Sequence, residues 1–183
     1  MKRALVISAL CAVVGLVAAP MHASAACESD ALLLARICVS EAGWRTHESG
    51  DCGAIAYAIT ATSTERAISF RAAARAHSPR ATGARETSDT RLSWVAGLRR
   101  DGGEPAAWPA PPHAPWAAYR ERWLEVLDRA RELVTWSLED HEADSMCEVA
   151  PVTWAARWHT PSPGLRAIDC GGLVVNQFYA RAR

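Results

Sequence analysis

From residue 30 onward the apolar positions fall at helical spacing. Leu33, Leu34, Ile37 and Cys38 recur by three and four, which predicts a helix over 30–42, capped by Ser29 or Asp30 and stopped by Gly43. A polar loop follows over 44–50. Asp51 is placed to cap a second helix, "CGAIAYAITATS", whose Ile55, Ile59 and neighbouring alanines face a core. Ser69 caps a third over 70–76, and Pro79 ends it. Residues 78–89, rich in Ser, Thr, Arg and Gly, read as a loop, "RLSWVAGL" as a turn of helix, and "GGEPAAWPAPPHAP" as an extended or looped stretch. The strongest periodicity lies in "PWAAYRERWLEVLDRARELVTWSLED". Trp116, Tyr119, Trp123, Leu127, Ala130 and Val134 form one stripe, and Arg and Glu fill the other face, so a single long helix is expected. Beyond it Val152, Trp154, Ala156 and Trp158 alternate as a strand does, and "GGLVVNQFY" reads as a final strand or extended tail. No internal repeat is visible. The elements together predict a mainly α (α+β) domain with a small β or irregular C-terminal part.

The first 25 residues stand apart from this pattern. Lys2 and Arg3 precede an apolar run over 4–19, Pro20 breaks it, and Ala23-Ser24-Ala25 is a small-x-small site. That is the order of a secretory signal peptide, with cleavage expected after Ala25 and one domain over 26–183. The apolar run is short for a bilayer span and no other run is longer, so no stable membrane span is expected once the signal is removed. The chain carries 20 basic and 20 acidic residues, and loss of Lys2 and Arg3 leaves it slightly acidic. No basic run with interleaved aromatics exists, which argues against nucleic acid as a partner. An exported monomer, periplasmic or secreted, is the expectation.

Cysteine usage agrees with export. Cys27, Cys38, Cys52, Cys147 and Cys170 follow the signal, without a C-x-x-C pair or zinc-finger spacing. In an oxidising compartment disulfides are the plain reading. Pairing Cys38 with Cys52 and Cys147 with Cys170 would each join neighbouring elements, although spacing alone does not determine connectivity. Cys27 is left for lipidation, for which "SAAC" is a poor signal, or as a free or intermolecular thiol.

The candidate chemistry centres on Glu41. It follows Ile37 by four residues, so it leans toward the buried face of its helix, and it lies at the helix C-terminus. Burial and a helix C-terminus both disfavour the ionised form of a carboxylate, and a carboxyl that keeps its proton near neutral pH can serve as a general acid. The competing reading is an ordinary acid at a helix end. The chain lacks G-x-S-x-G, H-E-x-x-H and Walker sequences. His47, His77, His113, His141 and His159 are scattered. A metal set of His141, Asp144 and His159 has no familiar ligand spacing, so neither a metal nor another cofactor is expected. Glu48 and Asp51 are the nearest candidates for a second carboxylate.

The stretch "LARICVSEAGWRTHESGDCGAIAYAITATS" resembles the start of the SleB-type (spore cortex-lytic enzyme-like) cell wall hydrolase domain, in which an apolar helix ends in a glutamate-alanine pair, here Glu41-Ala42. A polar loop and a small-residue helix follow in the same order. Leu92-Ser93-Trp94 resembles the family's F-S-x segment, and "WLEVLDRARELVTW" its long helix. Ala156-Arg157-Trp158-His159 is similar to its Ala-Thr-His-Phe-His run, and "GGLVVNQFYA" to its Gly-Gly…Phe-Tyr terminus. The chain departs from the pattern at 60–63, where the family carries an asparagine-arginine pair, and at Asn176 and Gln177, where a histidine is usual. The resemblance implies a lysozyme-like, mostly helical domain that cuts peptidoglycan glycan strands at the muramic acid–glucosamine bond, as a lytic transglycosylase or muramidase; the disulfides expected from the cysteines are not a hallmark of that family. It implies Glu41 as the catalytic acid and Ser93, Trp94, His159 and Tyr179 as groove residues. Trp44 joins them because tryptophan stacks on the apolar faces of sugars. Two rivals stand beside it: a non-catalytic, disulfide-stabilised envelope protein binding glycan or protein, and an unrelated secreted helical domain.

Overall fold

The computed structural model describes residues 29–43, 46, 50–79, 95, 98, 116–144, 147–155, 160–171 and 175–182. Among the described residues five helices precede three strands: α1 (Asp30–Ala42), α2 (Asp51–Glu65), α3 (Phe70–His77), α4 (Trp116–Leu133), α5 (Leu138–Asp144), β1 (Thr153–Ala155), β2 (Leu165–Ile168) and β3 (Gln177–Arg181). The strands form one antiparallel sheet in the order β1-β3-β2, with Tyr179 on the middle strand opposite Thr153 and Ala167. The architecture is thus mixed, helices with a small three-stranded sheet. Among the described residues no helix is long and apolar enough to cross a membrane.

The helix starts follow side-chain capping. The Ser29 hydroxyl accepts from the Leu32 N–H at 3.2 Å, and the Ser69 hydroxyl accepts from the Ala72 N–H at 3.2 Å, each satisfying a donor that the first turn leaves open. Gly43 ends α1 at φ 76°, a conformation that favours glycine, and its N–H returns to the Val39 carbonyl at 2.9 Å. Apolar residues surround α1 on all sides: Leu32, Leu33, Leu34, Ile37, Cys38 and Val39 are all buried. A helix apolar all round belongs inside a core, and α1 does pack against α2, α3 and α4. In α2, Ala54, Ala56 and Ala58 are fully buried, so their small side chains let neighbouring helices approach closely. From α4, Trp123, Val126, Leu127, Ala130 and Leu133 enter the same core.

The structure corrects the single long helix expected over 116–140. α4 stops at Leu133, and α5 begins after Ser137. The cause is local hydrogen bonding. Thr135 Oγ1 donates to the Glu132 carbonyl at 2.7 Å. Ser137 and Asp140 form a capping box, in which the Asp140 N–H donates to Ser137 Oγ at 3.3 Å and the Ser137 N–H donates to Asp140 Oδ2 at 3.1 Å. The Ser137 hydroxyl first, and then the Ser137 backbone N–H, hold the Asp140 carboxyl below its usual range. Strand β2 falls on "LRAI", which carries no alternation, and was not expected from the pattern. Two disulfides join neighbouring elements in the favoured arrangement, Cys38–Cys52 and Cys147–Cys170. The expected signal segment, Cys27 and the Pro-rich stretch lie outside the described residues.

Candidate functional site

Glu41 sits in the last turn of α1 and is partly buried. Three independent ties hold that turn. The first is covalent: Cys38 on α1 is bonded to Cys52 in the first turn of α2. The second comes from the residues just before β3. Asn176 Nδ2 donates to the Glu41 backbone carbonyl at 3.2 Å and to Asp51 Oδ1 at 3.0 Å. One amide thereby joins the end of α1 to the start of α2. The third acts on the side chain itself. Ser78, buried at the end of α3, donates its hydroxyl to Glu41 Oε1 at 2.5 Å. The Ser78 N–H is anchored to the Ala74 carbonyl at 2.9 Å, so the hydroxyl is aimed by a fixed helix end. Oε2 of Glu41 has no hydrogen-bond partner among the described residues, which leaves one carboxyl oxygen oriented and uncommitted.

Asp51 serves a different purpose from the cap assigned to it by the sequence. It is the first residue of α2, and Gly50 occupies the N-cap position. Its carboxylate, fully buried, accepts from the Val175 N–H at 2.8 Å and from the Asn176 N–H at 3.0 Å, besides Asn176 Nδ2. The start of a helix carries positive partial charge, which favours an anion there. Asp51 therefore fastens the chain before β3 to the helix pair that carries Glu41. With its lone pairs committed to these donors it is a structural acid, not a group poised to activate water. Sequence reasoning missed Ser78 and the bonding of Asn176 because their partners are 37 and 135 residues away along the chain.

The other expected site residues divide. Tyr179 is buried at 3% exposure in the middle of the sheet. Trp44, Ser93, Trp94 and His159 lie outside the described residues. His141 is buried, its Nε2 donates to the Leu133 carbonyl and its ring stacks on Trp136. Among the described residues no group of three His, Cys, Asp or Glu side chains could hold a metal ion.

A cleft of about 500 Å³ opens elsewhere, lined by Thr62, Arg66 and His77 on the helical side and by Thr153, Leu165 and Arg181 on the sheet side; Glu41 does not line it. His77 Nε2 and Thr62 Oγ1 are 2.8 Å apart, and the imidazole stacks on Trp154 with ring centroids 5.0 Å apart. Burial first, and then the positive charge of Arg66, hold His77 below its usual range, so the ring is neutral at neutral pH. No family model matches the chain, and neither a curated protein nor a solved structure does.

Proposed function

We propose that this chain is an exported, lysozyme-like peptidoglycan-cleaving enzyme that cuts the glycan strand at the muramic acid–glucosamine bond as a lytic transglycosylase, with Glu41 as its acid and base. The observation that carries the reading is the Glu41 carboxyl, partly buried at the end of an apolar helix and held through Oε1 by Ser78 Oγ at 2.5 Å. A general acid needs a fixed direction for its proton, and the three ties to the end of α1 supply one before substrate arrives. In the proposed reaction the carboxyl donates its proton to the glycosidic oxygen as that bond to the muramyl C1 breaks. The muramyl 6-hydroxyl then adds to C1, and the Glu41 carboxylate takes the hydroxyl proton. A 1,6-anhydro ring forms, Glu41 ends protonated as it began, and no water is consumed. A hydrolase with two carboxylates places the second acid roughly 5–10 Å from the first. Asp51, the near candidate that the structure describes, is committed to three donors, so a single-carboxyl mechanism suits this site better. Export is supported by the two disulfides and by the form of residues 1–25.

The decisive experiment digests purified sacculi with the protein and reads the products by mass spectrometry. Muropeptides ending in 1,6-anhydro-muramic acid are expected, and Glu41→Gln should abolish them while the far-ultraviolet circular dichroism and melting temperature stay near those of the parent. Reducing ends heavier by one water would replace transglycosylation with hydrolysis. Undiminished digestion by Glu41→Gln would end the reading. A second reading, a non-catalytic envelope protein that binds glycan or protein, is favoured by one observation: the cleft described above does not include Glu41. Retention on sacculi without products would establish it.

A further inference from the structure

We propose that the cleft between the ends of α2 and α3 and one end of the sheet is a binding site for a ligand bearing a carboxylate, with Arg66 as its counter-ion. The site is separate from Glu41 and does not depend on the glycan reading.

Topology builds the cleft. In the antiparallel order β1-β3-β2, the start of β1, the end of β3 and the start of β2 lie at the same end of the sheet. Val152, Leu165 and Ala182 present that end, while Thr62 and Glu65 of α2, Arg66 just beyond its end and His77 of α3 face it. The ionic groups of the lining do not cancel. Arg181 is paired with Glu65, which leaves Arg66 as a cation without an ion pair among the described residues. Arg66 itself lines the cleft beside His77, and its charge helps to lower the pKa of that ring.

A plainer account would make Arg66 a complement to the negative end of α2. That end is already largely satisfied: the Thr62, Ser63 and Thr64 carbonyls accept from the Arg66, Ile68 and Ala67 N–H groups. The partial charge of a helix end resides on its unsatisfied carbonyls, so little of it is left for Arg66 to offset. A carboxylate in the cleft would instead meet the guanidinium, and the Thr62 hydroxyl and neutral His77 imidazole, 2.8 Å from each other, share one proton between them and leave the other as a further donor.

The size selects among carboxylates. About 500 Å³ falls within the range of small-ligand sites and exceeds what a two-carbon acid fills. The apolar surface of Val152, Leu165 and Ala182 suits one or two small side chains, which points to the C-terminal carboxylate of a short peptide. A free organic acid shares the same recognition chemistry.

The test uses nitrogen-15 spectra of the protein titrated with acetyl-alanyl-alanine, with its C-terminal amide, and with sodium acetate. The acid should shift the backbone signals of Gly164, Leu165 and Ala182 and the ring signals of His77, and the amide should bind at least about tenfold more weakly. Arg66→Gln, an exposed change at a helix end, should weaken the acid about tenfold, and Arg66→Lys should restore part of the loss. Acetate binding as tightly as the dipeptide would assign the cleft to free organic acids and keep the carboxylate. Equal binding of acid and amide, unchanged affinity in Arg66→Gln, or no shift at these residues would overturn the proposal. Glu41→Gln should bind the dipeptide as the parent does, so the fate of the glycan reading is measured separately.

Discussion

Replacing Asp51 with alanine should be among the most damaging single changes in the chain. The carboxylate accepts from two backbone N–H groups and one side-chain amide, at 2.8, 3.0 and 3.0 Å. The three donors do not lose equally when it is removed. Val175 is half exposed, so its N–H can turn to water. Asn176 is buried at 6% exposure, and both its N–H and its amide would lose a buried acceptor. Each buried donor left without a partner costs about 1–3 kcal/mol, so the two together imply a loss of about 4 kcal/mol. In a chain of this size that corresponds to a fall in melting temperature of roughly 8–16 °C. Asp51→Asn keeps one acceptor oxygen but sets an amide against one of the donors, and about half the loss is expected. The assay is urea unfolding followed by tryptophan fluorescence, with disulfides intact and the denaturant slope compared between variants. An Asp51→Ala protein within about 0.5 kcal/mol of the parent, with an unchanged slope, would refute the assignment of Asp51 as the fastening acid.

Three further outcomes follow from the same structure. His77 is held below its unfolded value of 6.5, mainly by burial and secondarily by Arg66, so the unfolded chain takes up the proton first as pH falls. Its contribution to stability is therefore full above 6.5 and is lost as pH drops through the folded value, and His77→Gln should flatten the decline in unfolding midpoint as pH falls below 6.5. Replacing Cys38 and Cys52 together by alanine opens a link across 14 residues, which should lower stability by about 3 kcal/mol in the same urea assay. Ser137→Ala removes the capping box of α5 and should speed hydrogen exchange at the His141 amide, whose acceptor is the Ser137 carbonyl, by about fivefold, while exchange in α1 stays unchanged.

Much of the helical half was legible in the chain because its signals are local. Ser29, Ser69 and Gly43 mark boundaries that depend on a hydrogen bond or a backbone angle within four residues. The stripe on α4 was likewise readable from spacing alone, since Trp123, Leu127 and Ala130 occupy one face whatever they pack against. The break after Leu133 was equally local, and its capping box at Ser137 and Asp140 was present to be read. Strand β2 was not readable in the same way. Leu165 and Ile168 flank two exposed residues, and pairing with β3 makes "LRAI" a strand where its own pattern does not.

The sequence by itself determined α1, α2 and α3, the Ser29 and Ser69 caps, the apolar character of α1 and the placing of Glu41 at its end. Only the tertiary structure decided what surrounds Glu41. The Ser78 hydroxyl, the Asn176 amide and the Asp51 carboxylate meet there from separate elements, and Arg66 and His77 meet the end of the sheet in the same way. The division has a physical reason. Caps and periodicity are set by bonds within a turn or two, whereas a hydrogen bond between residues 135 apart exists only after the core has brought their helices and strands together.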